Sequence, residues 1–361
     1  MTFSSETIRA WVDVDLAALV ANARTIAAVS GSRLLPMVKA NGYGVGAVEV
    51  ARALESVDPW GFGVASLDEA ESLRTAGISR PILVATPLLP QWIERCLELD
   101  LRPSIGDPAA LDAWISRTAR PFHLEVDTGM SRAGVRWDDH AALARLRASL
   151  MSAPGWEGAF THFLDAETDM AGTERQWNRF QETLSALPRR PALVHAANSA
   201  AALRGKCFAG DLVRPGIFLY GGVVGNAKPR SVVALRARVI ATRSIGRDDT
   251  VGYAAAWRAE QPCVVATLSI GYADGLPRSA GPQGVGPREI ELNGKLVPLL
   301  GRVTMDMCMV LVKQDVAIGD IATVYGGLIS IDRQAEAAGT ISYELLTRLS
   351  PRLPRRYGRS A

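Results

Sequence analysis

The sequence is short of the residues that build metal and disulfide scaffolds. It has 4 cysteines and 4 histidines among 361 residues. Cys96, Cys207, Cys263 and Cys308 stand far apart, with none of the Cys-x-x-Cys spacing that zinc sites use. The cysteines are therefore expected to be buried thiols, and since the histidines form no ligand pair at helical spacing, no metal is expected. Long hydrophobic runs are also missing: nothing approaches the roughly 18 unbroken apolar residues of a membrane helix. The opening residues 1–7 have neither the basic start nor the apolar core of a signal peptide, which points to a cytoplasmic protein. Charge of one sign is lacking too. Lys+Arg 40 against Asp+Glu 37 leaves +3, and the densest basic cluster, at 352–359, reads as a solvated terminus rather than a nucleic-acid groove.

What is present fits a soluble enzyme-sized chain. The composition is 48% hydrophobic and 21% charged, and the length allows two domains with separate cores. From residue 9 to about 221, short apolar runs alternate with amphipathic helical patterns, the signature of β/α units on a parallel sheet. Strands are predicted at 34–38, 82–85, 122–126, 158–162 and 192–195, and helices at 66–76, 90–99, 138–150, 173–187 and 199–203. The count fits a (β/α)8 barrel, although an open doubly wound sheet gives a similar string. Residues 222–231 read as a linker. Beyond it, strands are predicted at 232–240, 263–270, 289–292, 295–300, 308–312 and 321–325, with a turn at Asn293-Gly294 and a last helix from Ile341. The expected division is a barrel over 1–225 and a β domain over 226–361.

The most informative stretch is Met-Val-Lys-Ala-Asn-Gly-Tyr-Gly-Val-Gly at 37–46. It sets Lys39 at the end of an apolar run, where desolvation lowers the amine pKa and suits it to Schiff-base chemistry or to work as a base. Tyr43 lies within reach of a phosphate held over the same turn, and the glycines allow close backbone approach. On their own these ten residues also fit a strand end with a solvated lysine.

The motifs continue along the chain. They are Val-Lys-Ala-Asn-Gly-Tyr-Gly at 38–44, Val-Asp-Thr-Gly-Met-Ser-Arg-Ala-Gly at 126–134, Thr-His-Phe at 161–163, Ala-Asn-Ser at 197–199 and Val-Arg-Pro-Gly-Ile-Phe-Leu-Tyr-Gly at 213–221. Val-Gly-Tyr at 251–253, Gly-Tyr-Ala-Asp-Gly-Leu-Pro-Arg at 271–278, Gly-Arg-Val-Thr-Met-Asp at 301–306 and Ser-Tyr-Glu at 342–344 complete the set. In this order they resemble the alanine racemases, two-domain enzymes of fold type III that use pyridoxal 5'-phosphate.

The resemblance decides for the barrel and implies a site. Lys39 would carry the cofactor and act as a base on one face of the substrate; Tyr253, from the β domain of the partner subunit, would act on the other, so a homodimer is implied. Tyr43, Ser199, Gly216, Ile217 and Tyr343 would hold the phosphate, Arg214 would meet the pyridine nitrogen, and His162 would help Arg214 supply the positive charge that Tyr253 needs. Asn198 and Asp306 would support the site. Arg132 and the Met305 N–H would receive the substrate carboxylate, and Tyr272 would line the entrance. The implied reaction interconverts L- and D-alanine for peptidoglycan; a racemase for serine or a broader range needs the same residues. A decarboxylase on this scaffold places an acid where Arg214 stands, and a cofactor carrier does not need the β domain.

Two positions depart from the family pattern. Gly42 and Val45 replace the alanine and histidine common in the first motif, with little effect expected. Glu125 stands where many members carry a lysine carbamylated by carbon dioxide. Its carboxylate is expected to pair with Arg132 directly, with no need of carbon dioxide.

Overall fold

The computed structural model describes residues 7–278, 288–313 and 315–358. Most of the opening segment and residues 359–361 of the basic tail lie outside these ranges. No helix among the described residues is long and apolar enough to cross a membrane.

Helix starts are written into the first half of the chain. Asp15, Ser66, Asp107, Asp139, Asp169 and Asn198 each accept a hydrogen bond from the backbone N–H three residues on, satisfying a donor that the first helical turn leaves unpaired. Between these helices run the parallel strands Arg33–Leu34, Phe62–Val64, Ile82–Pro87, Leu101–Ile105, Phe122–Asp127, Trp156–Phe160, Leu193–His195 and Leu212–Val213. The last pairs with the first, Leu212 opposite Arg33, and a bridge between Met37 and Gly63 joins the first to the second. Hydrogen bonds from Asp211 N to Val194 O (2.7 Å) and from Arg214 N to Ala197 O (2.8 Å) tie the final two. The ring is closed, which gives the expected barrel. Because both faces of such strands are covered, every residue of Phe122–Asp127 is buried, the polar His123, Glu125 and Asp127 included.

The second half is mostly β, with two short helices, Ile331–Ala337 and Ser342–Thr347, and is built around one long strand, Val233–Ile245. It pairs with Ile321–Tyr325 through one part of its length and with Cys263–Leu268 through another. Cys308–Val312, Lys295–Leu300 and Glu289–Leu292 complete the circuit back to Ile321–Tyr325, making a second, antiparallel barrel. Asn293 (φ 49°) and Gly294 (φ 70°) form the tight turn expected of Asn-Gly, whose left-handed residues match the twist of the hairpin.

Pairings cross the expected boundary at 225. Strand Ala10–Val14 belongs to the β domain's sheet, antiparallel to Val233–Ile245 and parallel to Arg355–Tyr357. The C-terminal segment returns to the barrel: Arg355 donates to Gly44 O at 2.7 and 3.0 Å, and Tyr357 Oη to Val45 O at 2.8 Å. Cys96 and Cys308 are buried as expected, but Cys207 is exposed and Cys263 half-buried.

The two parts pack closely at Gly44, with φ +83°, where an added Cβ lies 2.1 Å from the carbonyl oxygen of Leu346. Gly44→Ala combines a left-handed alanine with a backbone clash and should lower stability by roughly 2–4 kcal/mol. Equilibrium unfolding in urea measures this; an unchanged midpoint would show that the helix Ser342–Thr347 is not packed on this turn.

Candidate active site

The C-terminal ends of the barrel strands and the helix Ser342–Thr347 enclose a cavity of about 330 Å³, the face where such barrels carry their chemistry. Lys39, Tyr43, Glu125, Arg132, His162, Asn198, Ser199, Arg214, Gly216, Ile217 and Tyr343 all line it.

Lys39 opens a turn in which Ala40, Asn41, Gly42 and Tyr43 have φ between 52° and 61°, a single left-handed turn. For L-residues this conformation costs about 1–2 kcal/mol each. Glu69 offsets part of it, its carboxylate accepting from Ala40 N (2.6 Å) and Ala65 N (2.7 Å). Glu69 was not among the expected residues; its Ser66-x-x-Glu69 spacing at a helix start is the signal that could have found it. Burial lowers the Lys39 pKa, Arg132 and Arg214 lower it further, and Glu69 works against them.

Arg214 is buried at the cavity floor. Its Nη1 donates to His195 Nδ1 (2.8 Å) and His195 O (3.0 Å); its Nη2 donates to Thr161 O (2.8 Å), Ala196 O (3.1 Å) and His162 Nδ1 (3.2 Å). Among the described residues only its Nε–H lacks a protein partner. Burial pushes its pKa down to about 10, so it remains a cation at neutral pH. His162 differs from expectation. Burial first, then Arg214, Arg132 and Lys39, push its pKa down to about 3, so it is neutral and cannot supply positive charge.

The opposite end is built for an anion. The Tyr43 ring stacks on Tyr220 at 4.5 Å, and Tyr220 Oη donates to Met37 O at 2.9 Å, which fixes the pair. Tyr43 Oη makes no hydrogen bond to the described residues, and an added Cβ at Gly216 would sit 2.3 Å from it. The Gly216 N–H, expected to face the ligand, is taken by Ser199 Oγ at 2.9 Å; the Ser199 hydroxyl proton and the Ile217 N–H are left to donate. Asn198 Oδ1 caps the helix Ser199–Leu203 through Ala201 N at 3.0 Å.

Glu125 is 4% exposed, not on a solvated edge. It does not form the expected ion pair with Arg132. Ser104 Oγ donates to its Oε2 at 2.9 Å instead, because Ser104 sits on the neighbouring strand while Arg132 lies on the loop beyond. Burial raises the Glu125 pKa, and Ser104, Arg132 and Arg214 oppose that rise. Arg132 makes no ion pair among the described residues. Lys39, Arg132 and Arg214 thus face one buried carboxyl, an arrangement that attracts a dianionic ligand.

Tyr253, Tyr272 and Met305 do not line this cavity within one chain. Tyr253 is 68% exposed on a turn where Ala254 and Ala255 have positive φ, not on a strand. Tyr272 N donates to Thr304 O and Ala273 N to Met305 O, both at 3.0 Å, which brings Tyr272 beside Met305. The Met305 N–H itself has no acceptor among the described residues. Asp306 pairs with Arg352 at 2.7 Å and so braces this loop from behind.

Comparison with known proteins agrees with this geometry. Residues 14–223 match the N-terminal domain of alanine racemase and residues 232–357 its C-terminal domain. The alanine racemase of Deinococcus radiodurans is 38% identical over 359 residues, covering 97% of this chain and 99% of that one. The crystal structure of alanine racemase from E. faecalis superposes with a TM-score of 0.89 at 30% identity, covering 99% and 100% of the two chains. That of alanine racemase from Bacillus anthracis with bound L-Ala-P gives 0.88 at 32%, covering 99% and 96%. Its similarity to these racemases over nearly the full length places the chain among isomerases of this architecture. It belongs to the alanine racemase family.

Proposed function

We propose that the protein racemises alanine with pyridoxal 5'-phosphate, using Lys39 on one face of the substrate and the partner subunit's Tyr253 on the other. The observation that carries this reading is the cavity itself: a desolvated lysine between a buried arginine and a polar cradle. The cradle suits a phosphate, with donors from Tyr43, Ser199, Ile217 and Tyr343, and the unpartnered Arg214 Nε–H suits a ring nitrogen. Bound there, the cofactor supplies an aldehyde for the substrate amine and a ring that spreads the charge left when the Cα proton departs.

The chain's own groups do the rest. Lys39, with its lowered pKa, takes or returns the proton at Cα on its face. Arg132 and the partner subunit's Met305 N–H hold the substrate carboxylate. Arg214 remains protonated and gives no proton to the ring nitrogen, which weakens the ring as an electron sink and favours quick return of the proton. The phenol of the partner subunit's Tyr253 works on the other face, and the neutral His162 supplies it with no positive charge. Exposure of Tyr253, Tyr272 and Met305 on one face of the β domain supports a homodimer with composite sites. D-alanine made in this way would serve peptidoglycan.

Two substitutions test the roles. Tyr253→Phe should keep the cofactor and lose turnover by orders of magnitude, with the primary deuterium isotope effect changing unequally when measured from L- and from D-alanine. If neither isotope effect changed, Tyr253 would not be the second base. Glu125→Ala leaves the buried Ser104 hydroxyl without its acceptor and removes the carboxyl that faces Arg132 and Arg214, a loss of about 1.5–3 kcal/mol. That is roughly ten- to hundredfold in kcat/KM, with KM raised; Glu125→Gln should do less harm, and added bicarbonate should not matter. Wild-type kinetics for Glu125→Ala, or activity that depends on bicarbonate, would overturn the assignment.

A further inference from the structure

Two histidines play no part in the mechanism above, yet they lie in line behind Arg214. His195 Nε2 is 2.8 Å from His123 Nδ1, and His123 Nε2 is 3.2 Å from Glu157 Oε2. Both rings are fully buried: Phe160 stacks on His195 at 5.1 Å and Trp60 lies 5.4 Å from His123. The neighbouring strand makes room for the line, since an added Cβ at Gly158 would lie 2.6 Å from His123 Nδ1.

The direction of every proton in this line is forced. A guanidinium donates and cannot accept, so His195 Nδ1, facing Arg214 Nη1, carries no proton. A neutral His195 then holds its proton on Nε2 and donates it to His123 Nδ1. His123 must in turn be protonated on Nε2, and that proton goes to Glu157. The charged groups around the line are Arg214 at one end and, at the other, Glu157 with Arg102, whose Nε is 3.6 Å from the same Glu157 oxygen. Burial keeps both imidazoles neutral, Arg214 opposing the charged form of His195 and Arg102 that of His123, while the Glu157 hydrogen bond is too weak to reverse this.

We propose that Glu157 and His123 are positioning residues that act through His195 to fix the Arg214 fork, so that its Nε–H points into the cavity. Glu157 is only partly buried and does not line the cavity, and its hydrogen-bonded route to Arg214 runs through the two rings. The inference rests on the proposed reading of Arg214 as the group that meets the cofactor ring.

The test is nitrogen-15 NMR of histidine-labelled full-length protein, read with and without pyridoxal 5'-phosphate. Only four histidines are present, and single His→Gln variants assign them. His123 and His195 should each appear as the neutral ring protonated on Nε2, unchanged between about pH 5 and pH 9, a window in which a free imidazole titrates. A proton on Nδ1 of either ring, or titration of either within that window, overturns the proposal. Glu157→Leu should leave His123 a mixture of tautomers and weaken cofactor binding several-fold in an absorbance titration; Glu157→Gln, which keeps an acceptor oxygen, should restore both. Unchanged tautomers and affinity in a folded Glu157→Leu protein also overturn it, and if that variant does not fold, the wild-type spectrum decides. Correct tautomers in a protein that binds no cofactor would leave the relay standing and fail the reading of the cavity.

Discussion

A cation with no carboxylate within ion-pairing distance, Arg214, is the fixed point of this structure. Burying a guanidinium is costly unless its donors are satisfied, and here both Nη atoms are satisfied by strand-end carbonyls and imidazoles from the Trp156–Phe160 and Leu193–His195 region. The barrel must therefore close with those strand ends in register for Arg214 to exist as it does. Its charge then shapes the rest of the cavity. It depresses His162 and Lys39, and it helps hold Glu125 toward its ionised form against the pull of burial.

The second constraint is the left-handed turn after Lys39. It is held by Glu69 from one side and by the C-terminal segment from the other, through Gly44 and Arg355. That segment also carries Tyr343 to the cavity. Because Ala10–Val14 and Arg355–Tyr357 pair within the β domain's sheet, the two barrels are tied together at both ends of the chain. The cavity's shape accordingly depends on the β domain even before a second subunit is considered.

Much of this was legible in the sequence, and what was not has physical reasons. The glycine-rich Lys39 turn, the Asn293-Gly294 hairpin with its flanking strands and the helix Ser199–Leu203 depend on local rules and appear where the pattern puts them. The strands Phe62–Val64 and Leu101–Ile105 escape notice, the first because it is only three residues long and the second because it contains Arg102 and Pro103. The membership of Ala10–Val14 in the far sheet is a pairing across more than half the chain, which no local pattern encodes. The same holds for the residues that tune the site: Ser104 against Glu125, Glu69 against Ala40, and the line from Arg214 to Glu157 all cross between strands or helices. Even where residue identity was right, charge state was not readable, since His162 is neutral because the fold buries it, beside three cations.

We propose that the arginine at the cavity floor confines the chemistry at Cα to exchange of a proton. The most direct measurement incubates the cofactor-loaded protein with L-alanine in deuterium oxide and follows the products by chiral chromatography and proton NMR. Both enantiomers of alanine should accumulate with deuterium at Cα and no other product. Appearance of ethylamine or pyruvate as a major product, or no exchange at Cα, would contradict the account.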